Sequence, residues 1–356
     1  MSRDAVTLDP ALIKSGRVRS ILVCQLRQIG DVLLATPSIS LLRRRFPEAA
    51  IHVLTEKKCA PVLEHNPDIA TIWALDKKQL THPGKDLAFA WGIARQRFDI
   101  LVDFQQLPRI RWVAALSRLF GTRVRLTHEP PWYNRWLYTH WVRPRDGYAA
   151  MSKASVLEPL GIAWDNGRPS MVLTDQERER AEAACRGLGI GPEHVLITVD
   201  PTHRRETRRW PAGHFGRAVA LAAEKRPELR FVVLWGPGEQ GIADEVRSAA
   251  KTDACIVPES MIGIRDMAAV IQRAALHFGT CSLPRHVAVA VGTPTLVVLG
   301  STSPAWTCPG DDHQDISLGL DCQPCNKNTC EHMRCLLDLE PEQVATTLLE
   351  RLETAP

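Results

Sequence analysis

Residues Ile21–Pro37 read ILVCQLRQIGDVLLATP, and the order of residue types in this stretch decides the fold class. ILVCQL (Ile21–Leu26) is an almost unbroken apolar run, as expected of a strand buried on both faces of a parallel sheet. Gly30 and Asp31 follow. A helical spacing of apolar residues then runs from Val32 to Phe46, and Pro47 ends it. Strand, glycine turn and helix together make the first half of a βαβ unit.

The same rhythm extends outward. AIHVLT (Ala50–Thr55), TIWAL (Thr71–Leu75) and DILVDF (Asp99–Phe104) read as further strands, with helical stretches near Cys59–Glu64 and Leu87–Arg97. Glu129–Arg145, rich in Pro, Trp, Tyr and Arg, breaks the pattern; a helix over Tyr148–Leu160 and a linker over Asp165–Leu173 follow. The rhythm restarts with a helix over Thr174–Leu188, for which Thr174 or Asp175 is the expected cap. VLITVD (Val195–Asp200), FVVLWG (Phe231–Gly236), ACIVP (Ala254–Pro258), ALHFG (Ala275–Gly279) and TLVVLG (Thr295–Gly300) read as strands, the last closing the sheet. Helices lie between them, and a final helix runs from about Pro341 to Leu352. The expected architecture is α/β: two doubly wound, Rossmann-like domains, residues 1–170 and 171–356, facing each other across a cleft.

Composition agrees. A chain of 356 residues with 45% hydrophobic and 24% charged residues is long enough for two buried cores. A formal net charge of +4 is too mild to point to nucleic acid. The N-terminal MSRDAVTLDPALIKSG has no apolar run of leader length, and no segment has the continuous apolar length of a bilayer span, so a cytoplasmic location is expected.

Four strand-to-helix junctions carry candidate chemistry, since ligands of such sheets bind at the carboxyl ends of strands. The first holds Gly30 and Asp31, where a carboxylate would serve as a general base or, alternatively, as a helix cap. It lacks G-x-G-x-x-G, which disfavours a nicotinamide dinucleotide, and no P-loop motif is present. The second junction is Asp200-Pro-Thr202-His203-Arg-Arg-Glu-Thr-Arg208-Arg209-Trp210-Pro211. Hydroxyl, imidazole and guanidinium donors before a helix start suit a diphosphate; the alternative is a solvated charged loop. The third, Gly236–Glu239, would meet a ribose with Glu239, or is a plain Gly-Pro turn. The fourth holds Cys281, Ser282 and His286, with a structural role as the alternative for the histidine.

In this order these segments resemble the family 9 glycosyltransferases, whose best-known members are ADP-heptose:lipopolysaccharide heptosyltransferases. The resemblance covers nearly the whole chain: Leu26–Pro67 with its Gly30-Asp31 and Thr36-Pro37 pairs, Arg208-Arg209-Trp210-Pro211, Gly236–Glu239, and Pro284-x-His286 through Gly300. It implies a GT-B fold, with acceptor bound by the N-terminal domain and a nucleotide-diphosphate sugar by the C-terminal one. It also implies inverting transfer in one displacement, with heptose from ADP-heptose moved onto a lipopolysaccharide core acceptor. By position, Asp31 is the catalytic base and Arg208 neutralises the leaving diphosphate, so catalysis requires no metal or other cofactor. Thr202, His203, Arg209, Glu239, Cys281, Ser282 and His286 are the donor-binding candidates; Arg27, Gln105, Arg109, Arg135 and Arg143 are the acceptor-binding ones. The chain departs from the family's Asp-[Ser/Thr]-Gly-Pro-x-His block, having Cys281 for the acid and Leu283 for the glycine. That departure keeps two alternatives open: transfer to another surface glycan or protein, and a non-catalytic nucleotide-sugar-binding homologue.

Two further clusters remain. Cys322-x2-Cys325-x4-Cys330-x4-Cys335 would surround a structural zinc or iron; reduced thiols or a disulfide in a surface loop are the alternatives. The cluster is expected to lie away from the chemistry. Asp311, Asp312 and Asp315 read as a solvated acidic loop. In the first half, Arg109, Arg111, Arg123, Arg125, Arg135, Arg143 and Arg145 interleave with Trp112, Trp132, Tyr133, Trp136, Tyr138 and Trp141. That mixture suits an acidic glycolipid acceptor and peripheral contact with the inner face of the cytoplasmic membrane. The alternative is aromatic core beneath a solvated arginine face.

Overall fold

A computed structural model describes residues 17–354; residues 1–16, read above for a leader, lie outside them. The chain divides between Val172 and Leu173 into two units. In the first, strands β1 (Ser20–Cys24), β2 (Ala50–Glu56), β3 (Thr71–Leu75), β4 (Ile100–Asp103), β5 (Val124–His128) and β6 (His140–Val142) form one sheet in the order β3-β2-β1-β4-β5-β6. Every pair is parallel. Its helices are α1 (Ile29–Leu33), α2 (Thr36–Arg45), α3 (Pro83–Ala94), α4 (Pro108–Leu119) and α5 (Ala149–Ala154). The central strands β1 and β4 are buried nearly throughout, as their apolar runs require.

The helix expected over Val32–Phe46 is two helices. Pro37 lacks the N–H that would continue the ladder, and its ring would meet the carbonyl of Leu33, so it fits only in a first turn. The chain stops α1 at Leu33 and starts α2 at Thr36. The Thr36 hydroxyl donates to the Leu33 carbonyl at 2.7 Å. Leu107–His128, left unassigned by the sequence, folds as α4 and β5. Arg125 is one of the arginines read as facing a ligand, yet it is buried in β5 and donates to the carbonyls of Leu137 and Thr122.

The second unit repeats the plan. Strands β7 (Val195–Asp200), β8 (Leu229–Val233), β9 (Cys255–Ile256), β10 (Leu276–Thr280), β11 (Thr295–Val298) and β12 (His313–Ile316) lie in the order β12-β11-β10-β7-β8-β9. These strands are also parallel throughout. Helices α6 (Asp175–Gly187), α7 (Ala212–Lys225), α8 (Gln240–Ala250), α9 (Ile264–Arg273), α10 (Leu283–Val291), α11 (Arg334–Leu337) and α12 (Pro341–Thr354) surround them. Thr174 caps α6 through a reciprocal capping box with Glu177. Trp210 anchors the core: fully buried, it meets Phe215 edge-on at 4.9 Å and donates its indole N–H to Leu339 O at 3.2 Å.

β11 does not close the sheet. β12 lies beyond it, and Asp315, expected in a solvated loop, accepts from the fully buried Arg285 at 2.9 Å. A buried guanidinium needs such a counter-charge. Counted within each unit, both sheets have the doubly wound strand order 3-2-1-4-5-6. The order therefore reverses between β1 and β4 in one unit and between β7 and β10 in the other, and these are the ligand-binding points of the fold.

Candidate functional site

At the carboxyl end of β1 the chain turns through Gln25–Gln28 into α1, and Asp31 falls in the first turn of that helix. It does not cap: Gln28 holds the cap position, without a side-chain cap bond. Instead the Asp31 carboxylate meets Lys153 of α5, Oδ1 to Nζ at 3.1 Å, with the two side chains 23% and 13% exposed. Lys153 Nζ also donates to Oε1 of the fully buried Gln25 at 3.2 Å. Gln25 in turn donates to Arg27 O at 2.6 Å. Gln105, one strand over, accepts from the backbone N–H groups of Leu26 and Arg27, at 3.0 Å each. This ties the loop after β4 to the loop after β1.

Asp103, the last residue of β4, is fully buried. It accepts from the N–H groups of Gln105 (2.9 Å) and Gln106 (2.8 Å) and from the Tyr138 hydroxyl (2.6 Å). Burial raises its pKa against those bonds. The first site is therefore an accessible carboxylate, Asp31, held by a lysine above a buried polar frame.

Of the acceptor candidates, Gln105 binds the main chain of Leu26 and Arg27 in the loop that leads to Asp31, and the Arg27 side chain is exposed. Arg109 instead pairs with Asp86 of α3 at 2.7 Å. Arg135 and Arg143 both reach Glu129, at 3.3 Å, and Arg135 lies over the Trp141 ring at 5.6 Å. Lys153, Gln25 and Asp103 were not singled out in the sequence. An acid ending an apolar run was the available signal for Asp103; nothing local marks Lys153, which reaches Asp31 across 122 residues.

In the second unit the centre is Asp200, the last residue of β7. Its Oδ1 accepts from the N–H (3.1 Å) and hydroxyl (3.0 Å) of Thr202, and Ser282 donates to its Oδ2. Burial is the main cause that pushes its pKa up to about 7, with Glu239 adding to the rise against the three donors. Gly279 makes this packing possible: a Cβ there would stand 2.7 Å from Asp200 O. The Thr280 hydroxyl donates to Thr202 O at 2.8 Å, closing the loop on β10.

Arg208 ends a 3-10 turn over Glu206–Arg208. It is half-buried, and its Nε is buried without a hydrogen-bond partner among the described residues. His203 accepts from Arg205 N at 2.9 Å; burial first, and then the Arg208 charge, hold its pKa down to about 4. It is therefore a neutral imidazole near pH 7. Arg209 lies 3.8 Å from Glu206, and Glu239 accepts from Gly236 N at 3.0 Å. Cys281 is buried near Arg285, Asp315 and Arg208, and burial raises its pKa. His286 stands edge-on to Trp306 at 6.0 Å.

The cysteine loop does not lie away from this site. Cys325 is within electrostatic reach of Arg208. Lys327 O accepts from Thr207 Oγ1 at 2.8 Å and from Ser301 Oγ at 3.1 Å, fastening the loop to the Arg208 turn. Cys335 is buried and feels Cys322, Cys330 and Cys325, while Met333 N donates to Cys330 Sγ at 3.4 Å. Among the described residues, no three His, Cys, Asp or Glu side chains stand in a metal-binding arrangement.

Two doubly wound parallel sheets with carboxylate chemistry at one switch point and cationic chemistry at the other define a GT-B type of transferase fold. The chain belongs to glycosyltransferase family 9 (heptosyltransferase), whose model matches residues 87–335. It is 28% identical over 283 residues to lipopolysaccharide heptosyltransferase 3 of Escherichia coli, covering 77% of this chain and 81% of the relative. In structure it is similar to the family 9 glycosyltransferase of Veillonella parvula, with a TM-score of 0.78, 21% identity and coverage of 94% and 97%. It is also similar to the ADP-heptose lipopolysaccharide heptosyltransferase II of E. coli, with a TM-score of 0.76, 17% identity and coverage of 94% and 98%. The chain is a lipopolysaccharide heptosyltransferase-like glycosyltransferase.

Proposed function

We propose that the protein transfers a heptose from ADP-heptose to a lipopolysaccharide core acceptor with inversion at the anomeric carbon. The names of its relatives support this donor and acceptor. The observation that carries the reading is the Arg208 guanidinium, whose buried Nε–H has no partner among the described residues and is a donor ready for an anion. In the reaction an acceptor hydroxyl oxygen attacks the anomeric carbon. The bond from that carbon to the diphosphate breaks, and Asp31 takes the hydroxyl proton. Arg208 meets the charge that grows on the departing diphosphate, a role that a divalent cation would otherwise fill. Thr202, His203, Arg209, Glu239, Cys281, Ser282 and His286 line the donor side. Arg27 and Gln105, in the loops beside Asp31, serve the acceptor's reacting end, while Arg109, Arg135 and Arg143, paired with Asp86 and Glu129, are proposed for its remoter acidic groups. Incubation with ADP-heptose and a deacylated core acceptor tests the reading: the expected result is ADP release matched by product, undiminished by EDTA in the assay. Absence of transfer with this donor overturns it.

The same reading places the enzyme in the cytoplasm, in peripheral contact with the inner membrane. Among the described residues no helix is long and apolar enough to cross a membrane.

The four loop cysteines are proposed to hold one structural zinc or iron. Their mutual proximity around Cys335 and the N–H bond to Cys330 Sγ support it; closure of the loop would be needed to bring the thiolates to ligand distance. Because Lys327 O fastens this loop to Thr207, the metal would steady the Arg208 turn. Elemental analysis of untagged protein should find one metal per chain, and its absence overturns the assignment.

A further inference from the structure

Nine large hydrophobic side chains are exposed among the described residues, and seven of them fall on three neighbouring elements of the first unit. Leu87 and Trp91 are on α3, Trp112 and Leu119 on α4. Trp132, Tyr133 and Trp136 belong to the 3-10 turn Trp132–Leu137. The elements touch: Trp91 packs edge-on against Phe120 at 4.8 Å, and Arg118 of α4 donates to Trp136 O at 2.9 Å.

α4 shows how this arises. Its buried stripe contains Ile110, Val113, Ala114 and Leu116, which pack into the sheet. Trp112 and Leu119, seven residues apart and so on one face, are 51% and 78% exposed. An amphipathic helix covering a sheet would carry polar residues there. From Phe104 to His128 the chain has five arginines and no acidic residue. Arg118 and Arg123 are exposed beside this stripe.

Five of the seven exposed side chains are Trp or Tyr, whose rings combine an apolar body with a polar edge and favour the headgroup level of a bilayer. The acids near this face are already paired, Asp86 with Arg109 and Glu129 with Arg135 and Arg143, so the exposed Arg118 and Arg123 leave it net basic, which complements an anionic lipid surface better than a protein partner. A patch of this kind on a solvent face also calls for an occupant.

We propose that the face formed by α3, α4 and the Trp132–Leu137 turn is a docking surface for an anionic lipid bilayer. The tryptophans insert at headgroup depth and the arginines meet lipid phosphates. This rests on the reading above only in giving the contact a location; it assigns the bilayer to a surface distinct from the Asp31 cluster.

The test uses the full chain and sedimentation with vesicles of phosphatidylglycerol and phosphatidylethanolamine, against vesicles of phosphatidylcholine. Wild type should bind the anionic vesicles, more weakly at high salt because exposed charges are screened. The triple substitution Trp91→Ser, Trp112→Ser, Leu119→Ser should weaken that binding at least tenfold. Its transfer to a deacylated, soluble acceptor should remain at the wild-type rate. Wild type that ignores anionic vesicles, equal binding by the variant, or an oligomer in solution that the variant dissociates would each overturn the proposal. If neither protein transferred heptose while vesicle binding behaved as expected, the functional reading would fail and this one would stand.

Discussion

The two units share a strand order yet carry opposite chemistry at the point where that order reverses. Each ends a central strand in a buried aspartate, Asp103 after β4 and Asp200 after β7. Each aspartate uses one oxygen to fix the main chain two residues on. Past that common device they diverge. The first unit places an accessible carboxylate, Asp31, beside Lys153, whereas the second gathers Arg208 and a neutral His203 around hydroxyl groups. The topology supplies a location, and short loop sequences decide whether it presents a carboxylate or a guanidinium.

Breaking the first site should have the largest effect. Asp31→Asn keeps the side chain's size and removes its basicity, so transfer should fall about 10³-fold with folding intact. Turnover near wild type, measured as ADP release, would remove Asp31 from the mechanism. Arg208→Ala attacks the second site. Loss of one donor to a developing anion costs about 10²–10³-fold in kcat. On the proposed reading Arg208 also meets ground-state charge, so ADP affinity measured by calorimetry should weaken too. Unchanged affinity and rate would make it surface decoration.

Lys153→Met sharpens the comparison, because it tests whether the first site needs its cation. Asp31 then loses its positioning partner, and kcat should drop about 10–100-fold while the KM for donor holds. Lys153→Arg should recover part of the loss. A change in KM alone would place Lys153 on the acceptor.

The smallest effect is on stability. Asp200 has a folded pKa of about 7, above that of the same carboxyl in the unfolded chain. Between the two values the folded state retains a proton that the unfolded state has released, so this group costs stability as pH rises from about 4 to about 7. Asp200→Asn should flatten that slope and raise the melting temperature near pH 8, by about 2–4 °C per kcal/mol recovered. An unchanged Tm–pH profile would show that Asp200 is not protonated in the fold.

Much of the fold was legible because buried parallel strands are written as apolar runs. The expected and observed bounds of β2, β3 and β7 differ by at most one residue. β12 was missed because three of the four residues in HQDI are polar, its Asp315 answering a charge on α10 that no local pattern shows. α4 was not legible because arginines and an exposed tryptophan interrupt its apolar stripe. The positions of Asp31 and Arg208 at strand-to-helix junctions were readable. Their partners were not, because Lys153 and Lys327 reach them or their loops through the tertiary fold.

The capping box at Thr174 has a practical consequence for recombining such enzymes. Thr174, Glu177 and Arg265, which donates to Glu177 Oε2 at 2.8 Å, all lie on the same side of the Val172–Leu173 boundary. A fusion joined at that boundary severs none of these bonds. The second unit therefore brings its own seal to any new N-terminal neighbour, and on the proposed division of labour the donor-binding part becomes exchangeable apart from the acceptor-binding one.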